Sequence, residues 1–148
     1  MDRNLPRRRL PHDDLTRTII GAFFDVYNAL GFGFLEQVYV NALAIALERA
    51  GYAVEREQVY DVYFRDAVVG RYRVDLLVEA SVLVEVKATH ALLDAHRRQV
   101  LNYLRCTRVE VGLLLHFGPV PRFQRIVMRE KLYRTSSQSH WDTRARDL

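Results

Sequence analysis

The first fifty residues show the spacing of two amphipathic helices. After Asp13-Asp14, apolar residues recur every three or four positions until a Gly-Phe-Gly stop at 31–33. Acidic residues at the start and glycine at the end are typical of helix termini, because they complement the helix dipole and let the chain turn. A second helix is predicted over 35–50, with Gly51 as its terminator.

From residue 54 onward the pattern changes to short runs of β-branched and aromatic residues. The stretch 66–70 is turn-like at its start, and a three-residue connection separates two of the apolar runs. The predicted strands are 54–64, 72–78, 82–88, 109–117 and 123–128, and a third helix is predicted over 92–105. The order α-α-β-β-β-α-β-β predicts an α/β fold in which helices flank a mixed β-sheet.

The two ends of the chain differ from the segment between them. Residues 1–12 contain four arginines and two prolines, and we interpret them as a loose basic arm. Residues 131–148 contain serines and scattered charges, which is typical of a polar tail. We therefore expect one domain over 13–130.

Composition places the chain among ordinary globular proteins. It has 148 residues, 49% of them apolar, which is enough for a single core. The formal net charge of +4 fits a polyanionic partner without requiring one. Cys106 is the single cysteine, which excludes an intrachain disulfide and a cysteine-built zinc site. The sequence has neither a membrane-spanning apolar run nor a secretory signal pattern, so we expect a cytoplasmic protein with no membrane partner.

Three charged residues interrupt strands that are otherwise apolar. Glu85 and Lys87 lie two positions apart in the predicted strand 82–88, so both point to the same face of the sheet. Asp75 interrupts the preceding strand in the same way. Charges in a central strand are costly unless they are paired or bind a metal, so these three residues are candidates for chemistry.

The connection between the two strands decides whether the acids meet. With the three-residue connection 79–81, Asp75 lies opposite Glu85 on one face of an antiparallel pair, and Arg73 lies opposite Lys87. A two-residue turn without a bulge would place the two acids on opposite faces, because a slip of one residue reverses a strand. A shared site therefore requires the odd connection or a bulge.

Two carboxylates on one face offer the hard oxygen ligands that suit Mg²⁺ or Mn²⁺. A lysine beside them could orient an attacking water or offset charge on a phosphoryl transition state. Only two of the 22 basic residues are lysines, so Lys87 stands out at this place. The alternative is purely structural, with a Glu85–Lys87 pair and with Asp75 bound to Arg71 or Arg73.

An aspartate followed at short distance by a Glu-x-Lys strand resembles the motif of the PD-(D/E)XK nuclease superfamily. The chain is also similar to the GxxExxY protein family, whose naming signature matches residues 33–39. The other similar blocks are 72–76, 84–88, 99–105 and 111–118, so the resemblance spans about residues 13–130. The order of the blocks makes the match much more specific than the acidic motif alone.

The resemblance implies a role for each matching strand residue. Asp75 and Glu85 would be the metal-binding acids, and the main-chain carbonyl of Val86 would be a further ligand. Lys87 would be the catalytic lysine. The chain departs from the superfamily name at Val74, which stands where that name has a proline.

Two further site residues are implied on the helices. Glu36 matches an additional acid that would take part in catalysis and metal binding; without the resemblance it is an acid favoured at a helix N-terminus. Gln99 matches a glutamine that would orient water or a phosphate; the alternative is a solvated helix face.

Arginines are the candidates for holding nucleic acid. The third predicted helix carries Arg97, Arg98 and Arg105, and a fourth candidate, Arg73, precedes the acidic motif. Binding of phosphates by such side chains releases counterions and depends on salt. The alternative is ordinary surface charge.

Taken together, these residues and the resemblance imply a nuclease that hydrolyses phosphodiester bonds with Mg²⁺ or Mn²⁺. The alternative is a catalytically silent nucleic-acid-binding or protein-interaction module on the same fold. The sequence contains no base-reading motif, so DNA and RNA are equally open, and so is a homodimer. The histidines at 90, 96 and 116 lack a zinc-binding spacing and are expected to be surface or hydrogen-bonded residues.

Overall fold

The computed structural model describes residues 11–128 and shows helices packed on both faces of a five-stranded sheet. The elements are α1 (Asp13–Leu30), α2 (Glu36–Arg49), β1 (Val54–Phe64), β2 (Ala67–Val78), β3 (Val82–Lys87), α3 (Asp94–Cys106), β4 (Val111–Phe117) and β5 (Pro121–Val127). Their order and the α/β class confirm the prediction made from the hydrophobic pattern. The predicted arm at 1–12 lies outside the described residues except for its last two positions, and the predicted tail at 131–148 lies wholly outside them.

Strand β2 is longer than the sequence indicates. It begins at Ala67 rather than at Tyr72, and Ala67 pairs with Phe64 of β1. The turn therefore consists of Arg65 and Asp66, and residues 67–70 belong to β2. Arg65 has a positive φ of 53°. Pairing with β1 supplies hydrogen-bond partners that the local sequence does not reveal, so the strand starts earlier than its composition predicts.

The sheet has the order β1-β2-β3-β4-β5. All neighbouring strands are antiparallel except β3 and β4, which are parallel and are connected by α3. A parallel pair needs a crossover of this kind, which is why a helix stands between these two strands in the sequence. The carboxyl ends of β3 and β4 consequently share one edge of the sheet, which we call the site edge.

Two apolar cores lie on the two faces of the sheet. On the α1/α2 face, Phe23 and Leu43 from the helices meet Val84 and Val86 from β3. On the α3 face, Leu83 of β3 lies with side chains that include Val100, Leu104 and Leu114. The alternation of β3 between the two cores shows that both faces of this central strand are buried, and it assigns Glu85 and Lys87 to the α3 face.

The turn between β2 and β3 has the predicted odd length. Glu79 and Ala80 both have positive φ, and the Ser81 N–H donates to the Val78 carbonyl at 3.0 Å. Val78 pairs with Val82, so three residues connect the strands and the predicted register is confirmed. The ladder pairs 76–78 with 82–84 and extends no further toward the site edge.

One consequence drawn from that register is wrong. Arg73 does not lie opposite Lys87, because it pairs with Val59 of β1 and its guanidinium lies 3.8 Å from a carboxylate oxygen of Glu57. The residues of β2 that precede Leu76 pair with β1 and not with β3. None of the helices within residues 11–128 is long and apolar enough to cross a membrane.

Candidate active site

Glu85 and Lys87 form an ion pair at the carboxyl end of β3. The Lys87 Nζ lies 3.1 Å from the Glu85 Oε1, and only 3% of Glu85 is exposed. The second carboxylate oxygen of Glu85, Oε2, is buried and has no hydrogen-bond partner among residues 11–128. A buried carboxylate oxygen left without a partner is costly, so this oxygen calls for an explanation in the chemistry of the site.

Asp75 reaches the same place from β2. Its Oδ2 accepts a hydrogen bond of 2.8 Å from the Val86 main-chain N–H, where the ladder between β2 and β3 has ended. Val74 belongs to the core on the α3 face, whereas Leu76 belongs to the core on the α1/α2 face. Strand β2 thus changes face around Asp75, and its carboxylate is directed to the end of β3.

The two carboxylates perturb each other. Burial raises the pKa of Glu85 to about 8, and the neighbouring Asp75 charge adds to this effect while Lys87 opposes it. Burial also raises the pKa of Asp75, against the lowering effect of the Val86 N–H. Buried acids with raised pKa values beside a cation are typical of functional sites.

Glu36 approaches this pair from another layer of the fold. It is the first residue of α2, and its charge raises the pKa values of both Asp75 and Glu85. The sequence implies this role only through the family resemblance, because Glu36 lies about forty residues before Asp75. Within residues 11–128, no three His, Cys, Asp or Glu side chains are grouped closely enough to hold a metal ion by themselves.

Gln99 lies on α3 beside the site. Its side-chain amide donates to the Tyr103 hydroxyl at 2.6 Å. Burial raises the pKa of Tyr103 to about 12, and the charges of Glu85 and Asp75 contribute to the shift. The four-residue spacing along one helix face allows the bond between Gln99 and Tyr103, and Tyr103 in turn feels the charges of the two acids.

The comparison with protein families agrees with this geometry. A model of the PD-(D/E)XK nuclease superfamily matches residues 13–129, a segment that includes both acids and the lysine. The chain belongs to this superfamily. Its similarity to the GxxExxY family remains a resemblance on the residues quoted above.

The similarity to solved structures extends this finding at the level of fold. A protein whose structure is titled "Crystal structure of SSO0001" matches with a TM-score of 0.52 and 18% sequence identity over 85% of this chain. This chain spans 64% of the length of that protein, and at this identity the likeness shows the fold alone. The comparison with curated proteins found no match.

The structural alternative for Asp75 is not what this PD-(D/E)XK domain shows. Arg71 binds Asp61 at 3.0 Å, and Arg73 lies beside Glu57. Both arginines are therefore directed to β1 partners. The Asp75 carboxylate is held instead by a main-chain N–H, which leaves its net charge uncompensated by arginine.

Two histidines, His96 and His116, lie closer to the site than the sequence indicates. His116 is buried and pairs across the sheet with Lys87, and its Nε2 lies 2.7 Å from the Thr89 carbonyl oxygen. The Nδ1 of His96 accepts the Leu93 N–H at 3.1 Å. Burial lowers the pKa of His96, and the charge of Lys87 lowers it further. Both histidines are hydrogen-bonded, as expected from the sequence, and the folded sheet adds that β4 brings His116 beside Lys87.

The predicted phosphate-binding arginines fall into two groups. Arg97, Arg98 and Arg105 lie exposed on α3, whereas Arg73 has an acidic neighbour. Arg98 borders an open pocket of about 250 Å³ on the α3 face. The pocket is lined by Tyr72, Ala95, Arg98, Gln99, Asn102 and Tyr103. The lining includes Gln99 but none of the three charged strand residues.

The donors at the site fit a divalent cation. Nucleases of this superfamily generally use divalent metal ions, and such hard cations prefer carboxylate and carbonyl oxygens. Glu85 contributes a buried oxygen that has no partner among the described residues, and the nearby charge of Asp75 disfavours the ionised form of Glu85. A bound cation would favour the ionised form of both acids and would supply the missing contact.

Proposed function

We propose that this chain is a metal-dependent nuclease that hydrolyses phosphodiester bonds of nucleic acid. The observation that carries the proposal is the buried Glu85 carboxylate, which binds the Lys87 ammonium through Oε1, feels the charge of Asp75 and has no partner for Oε2 among residues 11–128. A pair of acids with a lysine has the charge pattern needed to hold a cation and an anionic phosphate together. Superfamily membership supports the same assignment.

Asp75 and Glu85 would hold Mg²⁺ or Mn²⁺, with the Val86 carbonyl and Glu36 as further oxygen donors. When bound, the cation would lower the pKa of water and polarise the phosphoryl group. Asp75 is oriented for this task because the Val86 N–H fixes one of its oxygens. The Mg²⁺ or Mn²⁺ preference is part of the proposal.

Lys87 is the residue we assign to the reacting phosphate. Its ammonium is held at Glu85 and its side chain is only 14% exposed, so few waters compete for it. In such a setting a positive charge stabilises developing negative charge more strongly than it does in bulk water. Gln99, restrained by Tyr103, would orient a water or a phosphate oxygen.

Exposed arginines would supply the rest of the affinity. Arg97, Arg98 and Arg105 lie on the helix that also carries Gln99, and Arg73 lies near the start of the acidic motif. These side chains would contact phosphates on either side of the scissile bond, so binding should weaken as salt increases.

The decisive experiment measures cleavage of DNA and RNA with Mg²⁺, with Mn²⁺ and with a chelator. We expect divalent-dependent cleavage that falls at least about 100-fold in Lys87→Ala and Asp75→Asn, because these changes remove transition-state charge and a metal ligand. Glu110→Gln is the matched control, since Glu110 is exposed at the opposite edge of the sheet. Cleavage unchanged in Lys87→Ala would contradict the assigned role of the lysine.

Metal binding can be tested without turnover. Titration with Mn²⁺ should raise the melting temperature of the wild type and of Glu110→Gln, because a ligand that binds only the folded state stabilises it. Asp75→Asn should show a much smaller increase. An equal increase in Asp75→Asn would place the cation elsewhere.

A catalytically silent binding module is the second candidate. It is favoured by the absence, within residues 11–128, of a preassembled group of three metal-ligating side chains. Salt-dependent binding of nucleic acid without cleavage under any divalent metal would support this alternative over the nuclease.

A further inference from the structure

The loop between α1 and α2 exposes large apolar side chains directly before Glu36. Phe32 is 48% exposed, Phe34 is 47% exposed and Leu35 is 81% exposed. Gly33, with a φ of 117°, separates the two phenylalanines. Single exposed apolar residues are common, but adjacent ones at the border of a charged site indicate a binding surface.

The exposure of these rings is enforced by the fold. The buried Tyr39 hydroxyl donates to the Gly31 carbonyl at 2.5 Å and accepts the Phe34 N–H at 3.1 Å. The Tyr39 ring stacks on Phe117 at the end of β4, with ring centroids 4.2 Å apart. The loop is thereby clamped at both ends and presents its rings to solvent before any partner arrives, which lowers the entropy lost on binding.

Other loops at the site edge are apolar as well. Leu93 at the start of α3 and Val120 between β4 and β5 are both more than half exposed. The Tyr27 hydroxyl, near the end of α1, donates to the Gly118 carbonyl at 2.8 Å and so holds the end of α1 to the loop after β4. An apolar rim therefore borders the charged centre on several sides.

The charges across the site indicate the kind of partner. Helices α2 and α3 pack on opposite faces of the sheet, and the charges of Lys87 and Glu36 both act on His96, so the start of each helix borders the charged centre. Exposed Arg97 and Arg98 follow His96 on α3. One side of the site thus offers cations and the other offers exposed phenyl rings. A duplex covers its base faces and presents phosphates outward, whereas an unpaired strand presents both phosphates and base faces.

We propose that Phe32 and Phe34 form a stacking surface for unpaired bases, so that the substrate is single-stranded or locally unpaired nucleic acid. This inference rests on the proposed function and narrows its substrate class. The backbone of the strand would pass the acidic site and the α3 arginines while one or two bases stack on the rings. Stacking on aromatic side chains is tolerant of sequence, which agrees with the lack of a base-reading motif.

The test uses the full chain carrying Asp75→Asn, so that binding is measured without turnover. Fluorescence anisotropy compares an oligothymidylate, a duplex of equal length and a strand of abasic sites, all without divalent metal. We expect tighter binding of the oligothymidylate than of either other probe. Phe32→Ala with Phe34→Ala should weaken oligothymidylate binding about tenfold or more while changing duplex binding less than twofold.

Matched variants separate stacking from general apolarity and from misfolding. Ile45, 43% exposed on the outer face of α2, supplies the control, and Ile45→Ala should leave binding unchanged. Tryptophan at both phenylalanine positions should restore affinity, and leucine at both should restore only part of it. Melting temperatures of all variants should lie close to that of the parent, because the replaced side chains are exposed.

The outcomes distinguish this inference from the function on which it rests. Divalent-dependent cleavage by the wild type together with equal binding of single strand and duplex would overturn the stacking surface and leave the nuclease intact. Full recovery of affinity with leucine would also overturn stacking. If alanine at both positions leaves all nucleic-acid binding unchanged but abolishes self-association in light scattering, the rings serve a protein interface and the inference is wrong.

Discussion

Strands β3 and β4 are parallel neighbours that pair along all six residues of β3, and both are almost entirely buried. They differ in the kind of side chain that they bury. In register, Glu85 of β3 lies beside Leu114 of β4, and Lys87 lies beside His116. Strand β4 is apolar at nearly every position, and all of its residues are buried. Strand β3 is equally buried up to Lys87 but carries an acid and a base.

The difference separates what the fold needs from what the site needs. Leu114 shows that this depth of the sheet accepts a leucine, so a carboxylate at the neighbouring position is not required for packing. The raised pKa of Glu85 shows that the fold holds its charged form at a cost. Packing therefore does not explain the charge placed in β3, and the surrounding apolar layers must offset its cost.

The largest expected effect comes from giving β4 the charge of β3. Leu114→Glu should destabilise the protein by about 4 kcal/mol or more, because the new carboxylate would be buried beside Glu85 without a lysine of its own. Urea denaturation followed by circular dichroism measures the change. Leu114→Met is the control and should cost less than about 1.5 kcal/mol. Near-native stability of Leu114→Glu would mean that the sheet tolerates charge generally.

The reverse change, which removes the acid from β3, should make the protein more stable. Glu85 has a folded pKa of about 8 against an ordinary value of 4.5, so its favourable contribution is complete below pH 4.5 and is lost as the pH rises through 8. Glu85→Gln should therefore gain about 1–3 kcal/mol over the wild type at pH 8 in chelator, and almost nothing at pH 4.5. Urea denaturation at both pH values provides the measurement.

Glu110→Gln serves as the exposed control for this pH series and should show no comparable gain. The Glu85→Gln variant should also lose divalent-dependent cleavage. A stability difference that does not change with pH would show that Glu85 is not held in its neutral form by the apo fold.

The smallest effect on stability is expected when Lys87, the basic residue of β3, is replaced. In Lys87→Met the Glu85 carboxylate loses the cation that lowers its pKa, so the free energy of unfolding should fall by about 1 kcal/mol at pH 8. At pH 5 Glu85 is already neutral, so the variant should match the wild type. Denaturation at the two pH values checks this, and a loss of equal size at both would indicate a packing role for the lysine stem.

The sequence predicted the core of the site because its residues obey local rules. The two-residue spacing of Glu85 and Lys87 determines a shared face, and the three-residue turn determines that Asp75 can meet them. It failed for Arg73 because the residues of β2 that precede Leu76 pair with β1 and not with β3. Such a departure depends on twist and on a neighbouring strand, and neither is encoded in the hairpin itself.

Contacts between distant layers were beyond the reach of residue spacing. The approach of Glu36 to the acids was implied only by family resemblance, and the place of His116 beside Lys87 follows only from the pairing of β3 with β4. These contacts depend on how α2 and α3 pack against the two faces of the sheet. Helix packing tolerates many side-chain combinations, so a single sequence carries little information about it.

Periodicity and residue chemistry by themselves determined the element order, the mixed sheet and the two acids with their lysine. Only the tertiary structure decided that the Asp75 carboxylate is held by a main-chain N–H, that one Glu85 oxygen is left without a described partner, and that the two phenylalanines border the site. The physical reason is that local patterns select which face a side chain takes. Long-range packing sets the distances between side chains that come from different strands and helices.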